Sequence, residues 1–296
     1  MTRIVLCRGM NVEDAMTPRE ELVTVELPGT RDDALEYLKT RRFSSVPVVK
    51  ETDDGEVFRG LVSRERLIEQ PDEDQLAMLV EDAPAIGSDA SVEELAALMR
   101  ETGARRVPVV DDRLAGIVTI TDVIHAIATG ELGTDTDVAE IATRDINTTY
   151  EGTPLRVVER EISYGGVPYA VVLDDSGEPA GMVTEVDIID VAEIVDGEME
   201  TGNSFADQDN EWMWEGIKGV GSRTISTRNV EFPSGPASEF MTADLVTVSA
   251  RKTVRDAAQL MITNDIEQVP MVSGDELAGI VRDMDLLEAL SAPEER

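Results

Sequence analysis

The stretch GIVTITDVIHAIATG, residues 116–130, returns in altered form three times along the chain. Residues 60–69 read GLVSRERLIE, residues 181–195 read GMVTEVDIIDVAEIV and residues 279–290 read GIVRDMDLLEAL. All four share a glycine followed by two apolar residues, and two of them continue with a hydroxyl and, three positions later, an acid. Self-similarity of this kind indicates a repeat architecture.

A proline precedes each of these stretches and fixes the period of the repeat. The prolines are Pro47, Pro108, Pro168 and Pro270, each inside a β-rich run such as FSSVPVV or ARRVPVV. Their spacings are 61, 60 and 102 residues, so an insertion separates the third copy from the fourth. The chain therefore consists of four copies and one insertion.

Each copy has the same predicted order of elements: strand, helix, strand, strand, helix. Apolar residues recur at helical spacing before each proline, and a short acidic turn separates the two strands that follow. A capping signal opens each first helix: Thr30 with Asp33, Ser91 with Glu94, Thr253 with Asp256, and Thr153 before Pro154 in the third copy. The first three fit the capping box, and Pro154 is predicted as the first helical residue.

The composition excludes several classes of function. The chain of 296 residues carries 61 acidic and 26 basic residues, a formal charge of −35, with the acids spread among apolar residues throughout. Such a surface repels phosphate backbones and anionic membranes, so neither a nucleic acid nor a membrane is an expected partner. We interpret the charge as a halophilic adaptation to high salt, where self-repulsion is screened.

Cysteine and histidine are too scarce for metal or disulfide chemistry. The single cysteine is Cys7 and the single histidine is His125, which excludes a Cys and His zinc site and a disulfide within the chain. No metal is expected, and His125 is given no role. The N-terminal apolar run is too short for a signal peptide and no run approaches a membrane span, so the expected location is cytoplasmic.

The ordered set of four copies resembles the CBS domain, the small repeat named after cystathionine β-synthase. The resemblance covers nearly all of the chain except residues 196–235. It implies an α+β fold in which four CBS repeats pair into two pseudo-twofold Bateman modules, repeats one and two in one module and repeats three and four in the other. The expected repeat boundaries are 10–70, 74–130, 135–195 and 236–292, with 196–235 as an inserted linker or crossover. A flat disc within one chain is expected, as a monomer or a homodimer.

Four-repeat chains of this kind resemble the γ subunit of AMP-activated protein kinase and archaeal stand-alone CBS proteins. The resemblance implies a regulatory, energy-sensing protein that binds AMP, ADP or ATP in clefts between paired repeats and acts on an unidentified partner protein. Neither catalysis nor a cofactor is expected. Two alternatives stay open: a ligand-free scaffold for partner proteins, and a sensor of S-adenosylmethionine or its methylthioadenosine product. An inosine monophosphate dehydrogenase is rejected, because the repeats leave no room for its barrel.

The resemblance also implies which residues bind the ligand. In the family, the hydroxyl and the acid of the closing segment contact ribose and phosphate, and a carboxylate can accept hydrogen bonds from both ribose hydroxyls. The matching residues are Thr119 and Asp122 in the second copy, Thr184 and Asp187 in the third, Arg282 and Asp285 in the fourth, and Ser63 and Arg66 in the first. The fourth copy lacks the hydroxyl and the first lacks the acid, so the first site is expected to be altered or empty. The alternative for each pair is a capping box, worth about 1 kcal/mol.

Basic residues that could hold a phosphate group are few. Arg105 and Arg106 precede Pro108, where the kinase γ subunit supplies basic residues, and they are predicted to bind phosphate. The alternative is a pair of surface arginines bridged to nearby carboxylates, which would contribute little. Arg251 and Lys252 form a weaker candidate pair in the fourth copy.

The insertion between the third and fourth copies has two parts. Its first part is polar and acidic and predicts a mobile linker. Its second part holds both tryptophans, Trp212 and Trp214, and has no acid from 216 to 230. The favoured interpretation is an ordered crossover anchored by the tryptophans. The alternatives are a docking surface or a flap over the phosphates, whose cations would be Lys218, Arg223 and Arg228.

Overall fold

The structure is a computed structural model. It describes residues 9–41, 45–53, 55–63, 66–67, 70, 73–133, 135–191, 193–201, 223–274 and 276–290. At 39–41, 189, 193–201 and 223–231 it describes the backbone alone.

The first two repeats follow the predicted order of helices and strands, except that the second, among the described residues, has no first strand. The first contains α1 (Val12–Ala15), β1 (Thr17–Pro18), a 3-10 turn (Arg19–Glu21), β2 (Val25–Leu27), α2 (Arg31–Arg41), β3 (Ser45–Thr52) and β4 (Gly55–Ser63). The second contains α3 (Leu76–Leu79), α4 (Val92–Thr102), β5 (Arg106–Val110), β6 (Leu114–Thr119) and α5 (Ile120–Thr129). Of the closing helix of the first repeat, the structure describes only residues 66–67.

The last two repeats follow the same plan on either side of the insertion. The third contains α6 (Val138–Ile141), β7 (Thr148–Tyr150), α7 (Leu155–Gly165), β8 (Tyr169–Leu173), β9 (Pro179–Thr184) and α8 (Glu185–Asp190). The insertion contributes β10 (Glu193–Thr201) and β11 (Arg223–Glu231). The fourth contains a 3-10 turn (Ala237–Glu239), β12 (Val248–Ser249), α9 (Val254–Asn264), β13 (Gln268–Ser273), β14 (Glu276–Arg282), α10 (Asp283–Leu286) and a second 3-10 turn (Leu287–Leu290).

Each repeat builds a small sheet around an antiparallel hairpin. The hairpins are β3–β4, β5–β6, β8–β9 and β13–β14. In three repeats the first strand joins the hairpin in parallel, as β2–β3, β7–β8 and β12–β13. In the second repeat that strand is reduced to a single parallel bridge between Ile86 and Val109, which is the one departure from the predicted order within the described residues.

The predicted capping boxes open three of the four first helices. The Thr30 amide donates to Asp33 Oδ2 at 2.7 Å, and the boxes at the starts of α4 and α9 have both of their reciprocal bonds. The prediction for the third repeat was wrong by one position: Pro154 is the N-cap and α7 begins at Leu155. The extended backbone of Pro154, with ψ 138°, keeps it outside the helix.

The lead-in segments of the first two repeats, residues 9–18 and 74–81, are exchanged between the repeats. Lead-in 9–18 lies on the second repeat, where β1 pairs antiparallel with β6. Lead-in 74–81 lies on the first repeat, where Leu61 and Glu81 exchange backbone hydrogen bonds of 3.0 and 2.8 Å. The exchange ties repeats one and two into a pair, as the resemblance predicts.

The third and fourth repeats exchange their lead-ins, residues 136–144 and 235–242, in the same way. Thr143 of the first of these segments exchanges backbone bonds of 2.9 and 2.9 Å with Ile280 in β14. Lead-in 235–242 makes the equivalent two bonds to β9, of 3.1 and 2.9 Å. Each of these two lead-ins therefore lies on the sheet of the other repeat.

The exchange explains the glycine that opens the repeated stretch in the first two repeats. A Cβ atom on Gly60 would lie 2.3 Å from the carbonyl oxygen of Glu81, and one on Gly116 would lie 2.5 Å from that of Thr17. Contacts under 3.0 Å are closer than real Cβ atoms make. Gly60 also has φ +137°, which side-chain-bearing residues rarely adopt. The glycine is needed because another repeat's backbone crosses over it.

The chain divides into two compact units. One unit holds residues up to 144 together with those from 246 onward, and the other holds residues 145–245. The largest core lies in the first unit and combines buried residues of α4 and α5 with those of α9 and α10. Smaller cores lie under the sheet of the first repeat and under that of the third.

The insertion begins and ends as a β-ribbon. β10 pairs antiparallel with β11 along all nine of their positions, from Glu193 opposite Glu231 to Thr201 opposite Arg223. The prediction of a linker was therefore wrong for residues 196–201. The acid-poor strand β11 pairs with the acid-rich strand β10, and Asp196 is in register with Arg228. The uneven charge of the insertion thus places opposite charges on neighbouring strands. Trp212, Trp214 and Lys218 lie outside the described residues.

Among the helices that the structure describes, none is long and apolar enough to cross a bilayer.

Candidate functional site

The closing segment of the second repeat brings Thr119 and Asp122 together, as predicted. Asp122 Oδ2 accepts from the Thr119 amide at 2.8 Å and from its hydroxyl at 2.7 Å, and the Asp122 amide points back to Thr119 Oγ1 at 3.4 Å. The pair is thus a capping box at the start of α5. Asp122 is half-buried, and its Oδ1 accepts no hydrogen bond from any described residue. The cap therefore uses one carboxylate oxygen and leaves the other available.

Arg106 stands directly across the hairpin from this cap. It is the register partner of Thr119, since β5 and β6 pair Arg106 with Thr119. Its side chain is half-buried and forms no hydrogen bond or ion pair with any part of the chain that the structure describes. Burial lowers the pKa of Arg106, the neighbouring charge of Arg105 lowers it further, and Asp122 raises it. The result is a desolvated cation without a bound anion, beside a carboxylate with a free oxygen.

Arg105 has a different role from Arg106. Its guanidinium holds the carboxylate of Asp283 in a bidentate pair, with Nη1 at 3.1 Å from Oδ1, and its Nη2 lies 2.8 Å from Glu267 Oε1. Asp283 is buried, whereas Arg105 and Glu267 are partly exposed. The predicted pair of phosphate-binding arginines therefore separates into one that binds carboxylates of the fourth repeat and one that remains available.

The third repeat reproduces the cap but not the cation. Asp187 Oδ2 accepts from the Thr184 amide at 2.8 Å and from its hydroxyl at 2.7 Å, the same lengths as in the second repeat. The residues that match the two arginines are Gly165 and Gly166, and Gly166 ends α7 in the left-handed conformation. This repeat offers a carboxylate for a diol and, at that position, no charge for a phosphate.

The fourth repeat fills its own acceptor. Arg282, which stands in place of the hydroxyl, donates from Nε to Asp285 Oδ2 at 3.2 Å and from Nη2 to Oδ1 at 2.8 Å. The backbone amide of Arg282 also donates to Oδ2, at 2.9 Å. Both oxygens of the buried Asp285 are thus occupied by one side chain. A ligand diol would have to displace this pair, so the structure argues against the predicted role of Asp285.

The first repeat pairs its hydroxyl with an acid that sequence reasoning missed. Ser63 Oγ accepts from the Arg66 amide at 3.1 Å, as a cap does, and donates to Glu81 Oε2 at 2.8 Å. Glu81 comes from the exchanged lead-in of the second repeat. No local signal marked it, because only the tertiary exchange brings it to Ser63.

The weaker candidates are described only in part. Arg251 is exposed, and Lys252 Nζ lies 3.5 Å from Asp256 Oδ1 in an exposed pair. Arg223 and Arg228 lie on β11, whose backbone alone is described, and Lys218 lies outside the described residues. Of these residues, the structure describes only the side chains of Arg251 and Lys252.

A comparison with protein families identifies the repeat. The model of the CBS domain matches the chain four times, at residues 12–73, 77–129, 138–193 and 237–292. The chain belongs to the CBS domain family. The prediction of an α+β chain of four CBS repeats is thereby confirmed.

Two curated relatives match much of this chain. MJ1404 of Methanocaldococcus jannaschii, described as uncharacterized, is 27% identical over 282 residues, covering 95% of this chain and 62% of the relative. MJ1225 of the same organism, also described as uncharacterized, is 26% identical over 187 residues, covering 57% of this chain and 66% of the relative. The chain thus spans about two thirds or less of the length of these relatives.

Two solved structures resemble the whole CBS chain. An uncharacterized conserved protein from Pyrococcus horikoshii is 26% identical, with TM-score 0.67, covering 95% of this chain and 100% of that one. The structure of MJ1225 from M. jannaschii, described as a candidate archaeal homolog of γ-AMPK, has TM-score 0.63 at 17% identity with the same coverage. At that identity the second likeness shows the fold alone.

A groove also lies between the second and fourth CBS repeats. It has a volume of about 440 Å³ and is lined by Ala97, Arg100, Glu101, Met284 and Glu288. None of the hydroxyl or acid residues of the CBS caps lines it, and it offers one cation against two carboxylates. It is a less suitable place for an anionic nucleotide than the surroundings of Arg106.

Proposed function

We propose that this protein is a regulatory CBS protein that binds AMP, ADP or ATP at the closing segments of its repeats, with the main site in the second repeat. The observation that carries the proposal is the arrangement of Arg106, Thr119 and Asp122. Among the described residues, the half-buried cation of Arg106 has no anionic partner, and it faces a capped carboxylate whose second oxygen accepts no hydrogen bond.

Each group of this site matches one part of a nucleotide. The free Oδ1 of Asp122 can accept hydrogen bonds from the 2′- and 3′-hydroxyls of a ribose, as carboxylates do in other nucleotide folds. Arg106 can hold a phosphate through several donors at once, in the planar geometry that suits guanidinium groups. Because Arg106 is already desolvated, its attraction to an anion is weakened less by water than that of an exposed arginine.

The family and one relative support the same proposal. The architecture of four CBS repeats extends over nearly the whole chain, and MJ1225, which shares the fold, is described as a candidate homolog of the γ subunit of AMP-activated protein kinase. Regulation would follow if the nucleotide binds one conformation of a repeat pair more tightly than another, since a ligand shifts an equilibrium only through that difference.

Two other functions compete with this proposal. A scaffold without ligand is favoured by the fourth repeat, where Arg282 occupies both oxygens of Asp285. A sensor of S-adenosylmethionine would use the same ribose acceptor, but its sulfonium cation would meet the positive charge of Arg106. We therefore favour nucleotide binding over both of these functions.

Titration calorimetry with AMP, ADP, ATP and S-adenosylmethionine, in molar potassium chloride, tests the proposal. We expect saturable binding of at least one nucleotide by the wild type. Asp122→Asn and Arg106→Gln should each weaken it about tenfold or more, because each removes one charged hydrogen-bonding partner, worth roughly 1.5–3 kcal/mol. His125→Gln, on the exposed side of α5, is the matched control and should leave the affinity unchanged.

Two outcomes would overturn the proposal. No binding of any nucleotide by a folded wild type would favour the scaffold. Tight binding of S-adenosylmethionine that improves when Arg106 is replaced would favour the sulfonium sensor.

A further inference from the structure

The four lead-ins place one residue at the same structural position in every repeat, and only one of the four is an acid. In each repeat this residue forms a backbone β-pair with the residue that follows the glycine opening the repeated stretch. It is a threonine in three repeats and a glutamate in the first: Thr17, Thr143, Thr242 and Glu81. The glutamate occurs in the repeat whose closing segment has Arg66 where an acid is expected. The lost acid and the gained acid therefore belong to the same repeat.

In the first repeat, Glu81 accepts the hydroxyl hydrogen bond that Asp122 and Asp187 accept in their own repeats. Ser63 donates to Glu81 Oε2 at 2.8 Å, against 2.7 Å for Thr119 to Asp122 and 2.7 Å for Thr184 to Asp187. In all three repeats the hydroxyl also accepts a backbone amide three positions later. The hydroxyl–carboxylate pair is thus the same chemical unit, with its carboxylate supplied from another segment of the chain.

The position of Glu81 is fixed by backbone contacts. Glu81 exchanges two backbone hydrogen bonds with Leu61, and its carbonyl oxygen lies over Gly60, where any Cβ atom would approach to 2.3 Å. Its carboxylate is half-buried, and Oε1 accepts no hydrogen bond from the residues described in the structure. One oxygen is therefore engaged and one is available, as in Asp122.

We propose that Ser63 and Glu81 form a further ligand site in the first repeat, which takes the vicinal diol of a ribose-bearing nucleotide. This inference rests on the proposed function, and it replaces the expectation that the first site is altered or empty. The site differs from that of the second repeat because its acid lies on the exchanged lead-in. A ligand bound there would contact both members of the first repeat pair at once.

The test uses the full chain and AMP as the probe, in a background where the other two diol acceptors are removed. Asp122→Asn with Asp187→Asn gives that background. We expect the double variant to keep one AMP site, and addition of Glu81→Gln to weaken that site about tenfold or more, because a site built to hydrogen-bond hydroxyls depends on its charged acceptor. Glu131→Gln, an exposed glutamate after α5, is the control and should change nothing.

A second ligand separates recognition of the diol from a general effect on folding. 2′,3′-Dideoxy-AMP lacks both hydroxyls, so it should bind the double variant at least tenfold more weakly than AMP does, and Glu81→Gln should alter its binding less than twofold. This comparison needs no substitution at position 81 for its first part. It therefore remains decisive if the Glu81 variant is unstable.

The outcomes distinguish the two proposals. If the wild type binds no nucleotide, the proposed function fails. If the wild type binds AMP but the double variant does not, or binds AMP and the dideoxy compound equally, the proposed function stands and the Ser63–Glu81 site is wrong.

Discussion

Arg105 and Arg106 are neighbours in the chain, yet their surroundings differ completely. Arg105 binds a buried carboxylate 178 positions further along the chain, and Arg106 faces the cap across its own hairpin. Arg105 precedes β5 and Arg106 is its first residue, paired in register with Thr119, so only Arg106 is placed by the hairpin. Arg105 joins the second repeat to the fourth, whereas the side chain of Arg106 has no partner among the described residues.

Removal of Arg105 should destabilise the protein. Asp283 has a side chain only 5% exposed, so Arg105→Gln leaves a buried carboxylate without its cation. We expect a loss of about 1–3 kcal/mol in the free energy of unfolding, measured by urea titration in molar potassium chloride. Arg100→Gln is the control: Arg100 lies 3.7 Å from the exposed Glu288, and such pairs contribute about 1 kcal/mol or less.

A double-mutant cycle attributes that loss to the pair. Asp283→Asn in the Arg105→Gln background should restore part of the stability, because it removes the buried charge. If Arg105→Gln costs no more than Arg100→Gln, the pair does not stabilise the contact between the second and fourth repeats.

Residues that act locally could be predicted, and residues that act across repeats could not. The pairing of Thr119 with Asp122 and of Thr184 with Asp187 follows from their spacing at a helix start. The partners of Arg105 and the role of Glu81 depend on which segments meet in three dimensions. The spacing of residues along the chain does not indicate these tertiary contacts.

At the scale of single elements, the first helices begin where their capping boxes place them. At the start of α9, the amide and the hydroxyl of Thr253 both donate to Asp256 Oδ2, each at 3.0 Å. The hydrogen bond from the Thr253 backbone amide is the main cause of the lowered pKa of Asp256, and burial of the carboxylate opposes it. The same arrangement, with the same direction of pKa change, occurs at Asp33 in α2.

This cap gives the stability a defined pH dependence. Because the pKa of Asp256 is lower in the folded chain than its ordinary value of about 3.9, its contribution is complete above that value and is lost as the pH falls further. Asp256→Asn should cost about 0.5–1 kcal/mol at pH 7 and nothing once the wild-type carboxyl is protonated. Urea unfolding from neutral pH downward measures the difference, with the exposed Asp244→Asn as control. A cost that stays constant with pH would contradict this role.

The order of elements was predictable and their exchange was not. Apolar periodicity and capping signals predicted the sequence of helix, strand, strand and helix that the second, third and fourth repeats show. The strand content of residues 196–201 was missed because their acids indicate a loop, while the opposing strand 223–231 carries the complementary charge. Pairing partners of strands separated by more than twenty residues are set by tertiary contacts.

For the whole molecule, the net charge of −35 is the dominant property of the surface. Repulsion among carboxylates destabilises the compact state at low ionic strength. Salt screens this repulsion, because the Debye length falls from about 10 Å at 0.1 M salt to about 3 Å at 1 M. We expect the thermal unfolding midpoint to rise steeply over about the first molar of potassium chloride and then to flatten. Sucrose at matched osmolality, which does not screen charge, should raise it less. A midpoint independent of salt would rule out the interpretation of the acids as an adaptation to salt.

The exchanged lead-ins also set the order in which the protein can be completed during synthesis. Residues 9–18 leave the ribosome first, but the strand that receives them, β6, is made only after the whole first repeat. The third lead-in must wait in the same way across the entire insertion until β14 is translated. A growing chain therefore finishes its repeats in pairs, and a ribosome that stalls inside the second or fourth repeat leaves two of them open.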